Sequence, residues 1–239
     1  MLDVKDISKS FRKVRAVVDF DMHVGDGEAV GLVGPNGSGK TTSLRCICGI
    51  MKPDSGEVRF NGFDLYKDPV EAKRGLAYVP EIPYPIPYLT VWEHLTFIAR
   101  AYSARGWEQR AERLLDVFDM TEKRDEYCTK LSKGMKQKVM LMSAFVHEPS
   151  VIIMDEPLYG IDPQGGYELK RLLKDSVSKG ASVLISSHSL SLIEEVCTRM
   201  AIMSKGRIIA FGGLDDLRRQ AAAGKDASFE EVFVKITEG

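Results

Sequence analysis

One stretch decides the fold of this chain, Gly34-Pro35-Asn36-Gly37-Ser38-Gly39-Lys40-Thr41, because it fits the phosphate-loop pattern G-x-x-x-x-G-K-[ST]. An apolar run of strand length, residues 29–33, precedes it, and residues 42–48 can continue as a helix. A strand, a glycine-rich loop and a helix N-terminus together surround an anion with backbone N–H groups. Lys40 would reach the β- and γ-phosphates, and the Thr41 hydroxyl would hold Mg²⁺. The simpler alternative, a glycine-rich turn with a surface lysine, does not account for the register of all these residues.

Composition bounds the class of protein. The chain has 239 residues, enough for one large α/β domain with an inserted lobe. Its net charge of −1 provides no basic surface for nucleic acid, so we expect no direct nucleic-acid partner. The first residues lack the pattern of a signal peptide, and no apolar run has the length of a membrane span. We therefore expect a cytoplasmic protein that reaches a membrane only through a partner.

The cysteines give no sign of a disulfide or a metal site. Cys46 and Cys48 are two residues apart on a predicted helix, and that spacing places them on different faces.

The front of the chain is rich in strand patterns. Residues 2–7, 16–24 and 56–60 alternate or carry strand-forming side chains. Asp26-Gly27 has the sequence of a hairpin turn and leads into the strand at 29–33. We therefore predict that this front section is antiparallel.

The middle of the chain predicts helices. Thr90 and Glu93 form a capping-box pattern, and Ser132 is a candidate N-cap for a later helix. We predict that residues 90–130 form a helical insert between parts of an α/β core. Just before it, residues 80–88 are rich in proline and aromatic side chains. Proline excludes a regular helix or central strand there, so this loop is either a plain connection or a docking surface, and its apolar side chains favour docking.

Polar residues follow two further buried-strand patterns. Asp155 and Glu156 come directly after the apolar run 151–154, and His188 stands just past the strand 182–186. In an open α/β sheet, ligands bind outside the carboxyl ends of the strands. Asp155 would hold Mg²⁺ through water, Glu156 would act as a general base, and His188 would contact the γ-phosphate and the attacking water. A helix cap, a loop ion pair and an ordinary polar strand end are the alternatives.

These residues together resemble the nucleotide-binding subunit of an ATP-binding cassette (ABC) transporter, from about Leu2 to Phe211. The most specific element is residues 131–138, Leu-Ser-Lys-Gly-Met-Lys-Gln-Lys, which resembles the family signature L-S-G-G-Q. The resemblance assigns Phe11 to the aromatic side chain that stacks on adenine and Asp162 to the D-loop aspartate. It implies a catalytic pair, Glu156 and His188, and metal ligands Thr41, Glu81 and Asp155. The implied ATP-binding residues are Phe11, Gly34, Pro35, Asn36, Gly37, Ser38, Gly39, Lys40, Thr41, Thr42, Ser132, Gly134 and Asp162.

The resemblance also implies an architecture. The fold class is α/β, a P-loop NTPase core with a parallel sheet, an antiparallel β subdomain at the N-terminal side and an inserted α-helical subdomain. We expect a single ABC ATPase domain over residues 1–239. Its parts are a core with the antiparallel β subdomain, 1–80 and 150–212, an α-helical subdomain of about 88–148, and a short helical tail, 213–239.

The implied partners are a second nucleotide-binding subunit and a transmembrane permease subunit. Two such subunits would face head to tail, with ATP on the P-loop of one and under Ser132 and Gly134 of the other. The signature helix would point its N-terminus at the γ-phosphate. The protein would then be cytoplasmic and peripheral on the inner face of the cell membrane, held there by its permease.

Three residues depart from the family pattern. Lys133 and Met135 replace the third and fifth signature residues, and a similar S-K-G-M in exporter-type members favours export. Glu81 stands where the family has the Q-loop glutamine. Glutamate keeps an oxygen ligand for a hard cation and adds negative charge near the γ-phosphate, so we expect metal ligation with altered coupling. These patterns do not show which substrate is transported or whether the two subunits of the dimer are identical.

Two other functions fit a single ABC cassette. A soluble ABC ATPase acting on ribosomes or DNA is the first, and the missing basic surface and coiled-coil insertion disfavour it. A regulatory cassette that does not hydrolyse ATP is the second, and the presence of Glu156 and His188 argues against it.

Overall fold

The computed structural model describes residues 1–238, which form two β-sheets and the helices around them. The strands are β1 (Leu2–Phe11), β2 (Val14–Val24), β3 (Ala29–Val33), β4 (Ser55–Phe60), β5 (Phe63–Asp64), β6 (Leu76–Val79), β7 (Val151–Asp155), β8 (Ser182–Ser186), β9 (Arg199–Ser204) and β10 (Arg207–Gly212). The helices are α1 (Lys40–Ile47), α2 (Pro69–Lys73), α3 (Val91–Ala101), α4 (Trp107–Val117), α5 (Lys133–Phe145), α6 (Pro163–Ser178), α7 (Leu190–Val196), α8 (Leu214–Gln220) and α9 (Phe229–Glu238). Within residues 1–238, no helix is both long and apolar enough to cross a bilayer.

The two sheets differ in the direction of their strands. The first is antiparallel with the order β2-β1-β4-β5. The second has the order β10-β9-β3-β8-β7-β6, and it is parallel except for β10, which pairs antiparallel with β9 at the edge. This mixed α/β architecture confirms the predicted fold class.

The prediction that Asp26-Gly27 closes a hairpin is wrong. β2 lies in the antiparallel sheet, whereas β3 pairs in parallel with β8 and β9 in the other sheet. The backbone N–H of Gly27 donates to the carbonyl of Gly180, 3.0 Å away, just before β8. All of β3 is buried, which is typical of a central parallel strand and unlike a hairpin with one solvated face.

The second sheet separates two hydrophobic cores because its side chains alternate between faces. Val30 and Leu32 of β3 pack in the core that contains α1 and the first sheet. Ala29 and Val33 of the same strand pack in the other core, with α3–α7. The central strands are therefore covered on both faces, and polar side chains can meet only beyond their ends.

Helix α3 begins with the predicted capping box. The Thr90 side chain accepts from the backbone N–H of Glu93 at 3.2 Å, and the Glu93 carboxylate accepts from the Thr90 N–H at 2.8 Å. At the other end of α3, the Tyr102 hydroxyl donates to the Leu76 carbonyl in β6 at 2.9 Å. The helical segment is thereby fastened to the edge strand of the sheet.

Two histidines are enclosed where this helical segment meets the core. Nδ1 of His94 accepts the backbone N–H of Ile86 at 3.3 Å, which fixes the proline-rich loop to α3. The ring of His147 stacks on Tyr102 with centroids 3.9 Å apart. Burial lowers the pKa of each histidine to about 4.

These pKa values predict a loss of stability in mild acid. Between about pH 6.5 and 4 the unfolded chain binds protons at both histidines and the folded chain does not, so the free energy of unfolding falls as pH falls. We expect His94→Gln and His147→Gln each to reduce the loss between pH 7 and pH 5 by about 1–2 kcal/mol. Denaturant unfolding at pH 7 and at pH 5 measures this loss in the free energy of unfolding. Equal pH dependence in the wild type and both variants would contradict the assignment.

Candidate nucleotide site

The phosphate loop has a backbone that requires glycine. Gly39, directly before α1, has φ +108°, and a Cβ there would lie 2.3 Å from the carbonyl oxygen of Ala16 in β2. On the other side, the N–H of Gly206, in the turn between β9 and β10, donates to the Ser38 carbonyl at 2.9 Å. The loop is therefore wedged between β2 and that turn.

Lys40 reaches across the loop that precedes it. Its Nζ donates to the carbonyl oxygens of Gly34 at 2.8 Å and Pro35 at 3.3 Å, and only 8% of the residue is exposed. Burial lowers the pKa of this lysine, and the negative charges of Glu156, Asp155 and Glu81 oppose that shift. The ammonium group is thus held among carboxylates at one end of the site.

The loop and its neighbours enclose a cleft of about 670 Å³. The residues that line it come from five parts of the chain: Val14, Arg15, Ala16, Asn36, Gly37, Ser38, Gly39, Lys40, Thr41, Thr42, Glu81, Glu156, Lys205 and Gly206. A cleft with a phosphate loop on one wall and carboxylates nearby suits a polyphosphate with a divalent cation.

Asp155 ends β7, is 1% exposed and acts through its charge on Lys40, although it does not itself line the cleft. The Ser186 hydroxyl at the end of β8 donates to its Oδ1 at 2.5 Å. The other oxygen, Oδ2, is buried and has no hydrogen-bond partner in the described part of the chain. An unpartnered buried carboxylate oxygen is costly, and a cation or its water would satisfy it.

Glu156 and His188 form a hydrogen-bonded pair. Oε2 of Glu156 accepts from the backbone N–H of His188 at 3.1 Å and lies 2.7 Å from Nδ1 of its ring. The backbone of Glu156 is left-handed, with φ +48°, and its N–H donates to the Ser186 carbonyl at 3.0 Å. The carboxylate is largely buried while the histidine ring is mostly exposed, so the pair extends from the core to the protein surface, although His188 itself does not line the cleft.

The signature helix α5 begins away from this cleft. Ser132 is its N-cap, and its side chain accepts from the backbone N–H of Met135 at 3.3 Å, as predicted. A Cβ on Gly134 would lie 2.4 Å from the carbonyl of Gly160, so the helix start contacts the loop that follows Glu156. Neither Ser132 nor Gly134 lines the cleft of its own chain.

An ion pair fastens the same two segments together. The Lys138 ammonium on α5 lies 2.6 Å from the Asp162 carboxylate, which also caps α6 by accepting from Gly165 N–H at 2.8 Å. The hydrogen bond from Lys138 is the main reason that the pKa of Asp162 is lowered. The start of α5 and the segment 157–162 are therefore linked within one chain.

A family model described as ABC transporter matches residues 17–159, more than half of the chain. The chain belongs to the ABC transporter family. It is an ATP-binding protein of that family, and its reaction class is ATP hydrolysis.

Named relatives agree with this ABC assignment. The chain is 36% identical to the ABC-type transporter ATP-binding protein EcsA of Bacillus subtilis (strain 168), over 99% of this chain and 96% of the relative. It is 33% identical to the SkfA peptide export ATP-binding protein SkfE of the same organism, over 87% of each chain. A solved structure of an ATP binding subunit of an ABC transporter superposes with a TM-score of 0.94, at 38% identity and 99% coverage of both chains.

The ABC cleft gathers some of the residues predicted from sequence and leaves others outside. Residues 36–42, Glu81 and Glu156 line it, whereas Asp155 and His188 do not, and His188 is held against Glu156. Gly34 and Pro35 take part through their carbonyls, which Lys40 holds.

Phe11 is one of the predicted residues outside the cleft. It ends β1 with 44% of its surface exposed and pairs in register with Val14, which does line the cleft. Asp162 also lies outside, and its carboxylate is engaged by Lys138.

Sequence reasoning missed several groups at the ABC site. Ser186 and Lys138 were not singled out, although each contacts a predicted acidic residue. Ser186 ends a predicted strand beside Asp155, and that shared edge was the available signal. Arg15 and Lys205 carried no motif, since only the folded chain brings them to the cleft.

The backbone at two glycines, Gly39 and Gly62, predicts different effects of the same substitution to alanine. We expect Gly62→Ala to cost about 1 kcal/mol of stability, because Gly62 has φ +86° but nothing within 4 Å of a new Cβ. Gly39→Ala should cost at least about 2 kcal/mol, because the same strain is joined by a clash with the Ala16 carbonyl, and should weaken ATP binding at least about tenfold. Denaturant unfolding and ATP titration measure the two effects. Equal results for the two variants would contradict the wedged loop.

Proposed function

We propose that this chain hydrolyses ATP at an interface with a second nucleotide-binding subunit and drives export-type transport through a separate membrane subunit. One observation carries the proposal: Ser132 and Gly134 stand at a helix start outside the cleft of their own chain, while the cleft holds a phosphate loop, Glu81 and Glu156. The ATP site of a single chain is thus half of the working site.

Mg²⁺ fits the donors that the chain presents. Thr41 and Glu81 line the cleft, and Asp155 offers an oxygen without a partner. In the described residues, no group of three His, Cys, Asp or Glu side chains could hold a metal alone. That suits Mg²⁺, which takes one or two carboxylates and otherwise binds phosphate and water. When bound, the ion neutralises charge on the phosphates.

Glu156 is the proposed general base and His188 its positioning partner. The hydrogen bonds of its carboxylate within residues 1–238 all go to Oε2, from Ser187 Oγ, His188 N–H and His188 Nδ1. Oε1 is therefore left to accept a proton from the attacking water. The exposed ring of His188 can contact the γ-phosphate while its other nitrogen stays on Glu156. Lys40 supplies positive charge for the phosphates.

The second subunit would complete the site with the start of α5. The Ser132 hydroxyl accepts from Met135 and keeps its own proton free to donate to phosphate oxygen. The first N–H groups of the helix and its positive end would face the same phosphate. ATP would then hold two chains together until hydrolysis removes the γ-phosphate.

Matched glutamate variants test the assignment. Glu156→Gln should lower ATP hydrolysis at least about 100-fold, because it removes the base, while ATP binding persists and stabilises a dimer. Glu81→Gln makes the same chemical change at another carboxylate of the cleft. It should lower the rate by no more than about tenfold and shift the Mg²⁺ concentration for half-maximal rate, since Glu81 is a proposed ligand. Phosphate release measures the rates, and light scattering with ATP measures the dimer.

Two results would overturn this part of the proposal. If Glu156→Gln neither dimerises with ATP nor loses hydrolysis, Glu156 is not the base. If Glu81→Gln leaves the Mg²⁺ dependence unchanged, Glu81 is not a metal ligand.

The proline-rich loop supports a membrane partner. Ile82, Tyr84 and Tyr88 are exposed by 68%, 77% and 84%, next to a groove on α3 that includes Trp92 and Phe97. Exposed apolar groups in one patch favour a protein contact. The hydrogen bond from the backbone N–H of Ile86 to His94 holds this loop, which contains Glu81, in place. The relative SkfE, which is named as a peptide export ATP-binding protein, supports the direction of transport.

Docking through this loop gives a further prediction. Tyr84→Ala with Tyr88→Ala should release the protein from washed membranes of its native cell, because the pair supplies most of the exposed aromatic surface of the loop. ATP binding should be kept. Tyr167→Ala, at a tyrosine of α6 with 60% exposure, is the control and should stay on the membranes. Retention of the double variant would refute the docking surface.

Sedimentation of the wild type with ribosomes, or salt-dependent DNA binding, would favour the alternative of a soluble ABC ATPase that acts on ribosomes or DNA.

A further inference from the structure

We propose that Arg15 and Lys205 form a second cationic wall of the ATP cleft and bind the nucleotide at its α-phosphate and ribose. The proposal rests on the function proposed above, in which this cleft binds ATP, and it adds two residues that the phosphate-loop pattern does not contain. Both residues line the cleft, but they come from other segments than the phosphate loop. Arg15 belongs to β2, and Lys205 lies between β9 and β10.

The position of Lys205 is fixed by backbone contacts. It lies in the turn between β9 and β10 with φ +48°. Next to it, Gly206 donates its N–H to the Ser38 carbonyl of the phosphate loop at 2.9 Å and accepts the N–H of Val18 in β2 at 2.8 Å. A turn joined to the loop on one side and to β2 on the other holds Lys205 at a set place beside the phosphate loop.

Arg15 reaches the cleft from β2. Its neighbour Ala16 has its carbonyl oxygen 3.0 Å from where a Cβ on Gly206 would lie, so the start of β2 and the turn are in contact. Val14, Arg15 and Ala16 all line the cleft. Arg15 and Lys205 therefore belong to one continuous wall.

Charge pairing and position together mark this wall. Lys9 pairs with Asp54 at 2.7 Å and Arg207 pairs with Asp19 at 2.9 Å, whereas Arg12 and Lys13 make no ion pair within residues 1–238 but do not line the cleft. Across residues 1–238, Arg15 and Lys205 make no ion pair within 4 Å of a carboxylate. An anionic ligand in the cleft is the partner that their charges can meet.

The carboxylates of the site act on Lys40. The charges of Glu156, Asp155 and Glu81 oppose the lowering of its pKa by burial, and this group of charges suits a metal ion and the terminal phosphates. Arg15 and Lys205 have no such carboxylates beside them. Lys40 takes the β- and γ-phosphates, and the N–H groups of the loop approach the α- and β-phosphates from one side. The second wall is therefore left with the other side of the α-phosphate and with the sugar hydroxyls.

This placement predicts equal effects on ATP and ADP. Arg15→Gln and Lys205→Gln should each raise the dissociation constants of both nucleotides by about three- to tenfold, and the ratio of the two constants should stay at its wild-type value. The double variant should show about the product of the single effects. Titration calorimetry of the full chain with ATP and with ADP measures the constants.

Control variants separate charge from folding. Lys13→Gln removes the same charge from the tip between β1 and β2, outside the cleft, and should change affinity by less than about twofold. Arg15→Lys and Lys205→Arg keep the charge and should retain most of the affinity of the wild type. A loss in these conservative variants as large as in the glutamine variants would assign the residues a structural role and overturn the proposal.

The remaining outcomes are distinct. If the wild type binds ATP and the glutamine variants bind it equally well, the second wall is wrong and the proposed function stands. If only ATP binding suffers, the cations contact the γ-phosphate and the placement is wrong. If the wild type binds neither ATP nor ADP, the proposed function itself fails.

Discussion

The site depends on one close approach of backbone to backbone. Gly39 faces the Ala16 carbonyl with no room for a Cβ, and Gly206 presses on the same carbonyl from the other side. Three segments that are far apart in sequence thereby meet at Ala16: the phosphate loop, the start of β2 and the turn between β9 and β10. Each contributes groups to the cleft, so its shape follows from how closely these segments pack. The antiparallel sheet is thus part of the nucleotide site as well as a cover for the core.

The sequence predicts those features that depend on neighbouring residues. The phosphate loop, the capping box at Thr90 and the N-cap at Ser132 each depend on residues within a few positions, and each has the predicted form. The hairpin prediction at Asp26-Gly27 is wrong because the strands that pair with β3 are distant in sequence, namely β8 and β9. Contacts such as Ser186 with Asp155 need two strands in register, and no pattern within one segment contains that information.

The link between α5 and the segment 157–162 gives the proposed dimer a physical basis for communication. Gly134 against Gly160 and Lys138 on Asp162 join the helix that would contact the ATP of one site to the chain that leaves Glu156 in the other. Moving one segment strains the second, since packed interfaces shift between discrete arrangements more readily than they deform. Both contacts lie within one chain, so the coupling does not require the subunits to be identical.

The left-handed backbone at Glu156 sets stability against activity at a single residue. A side chain with a Cβ costs about 1–2 kcal/mol in this conformation, and glycine or asparagine would relieve much of it. The fold keeps a glutamate there and offsets the strain with the hydrogen bond from its N–H to Ser186. A search for more stable sequences on this backbone would therefore select against the carboxylate that is proposed as the general base. At position 156, the residue that suits the proposed function lowers the stability of the fold.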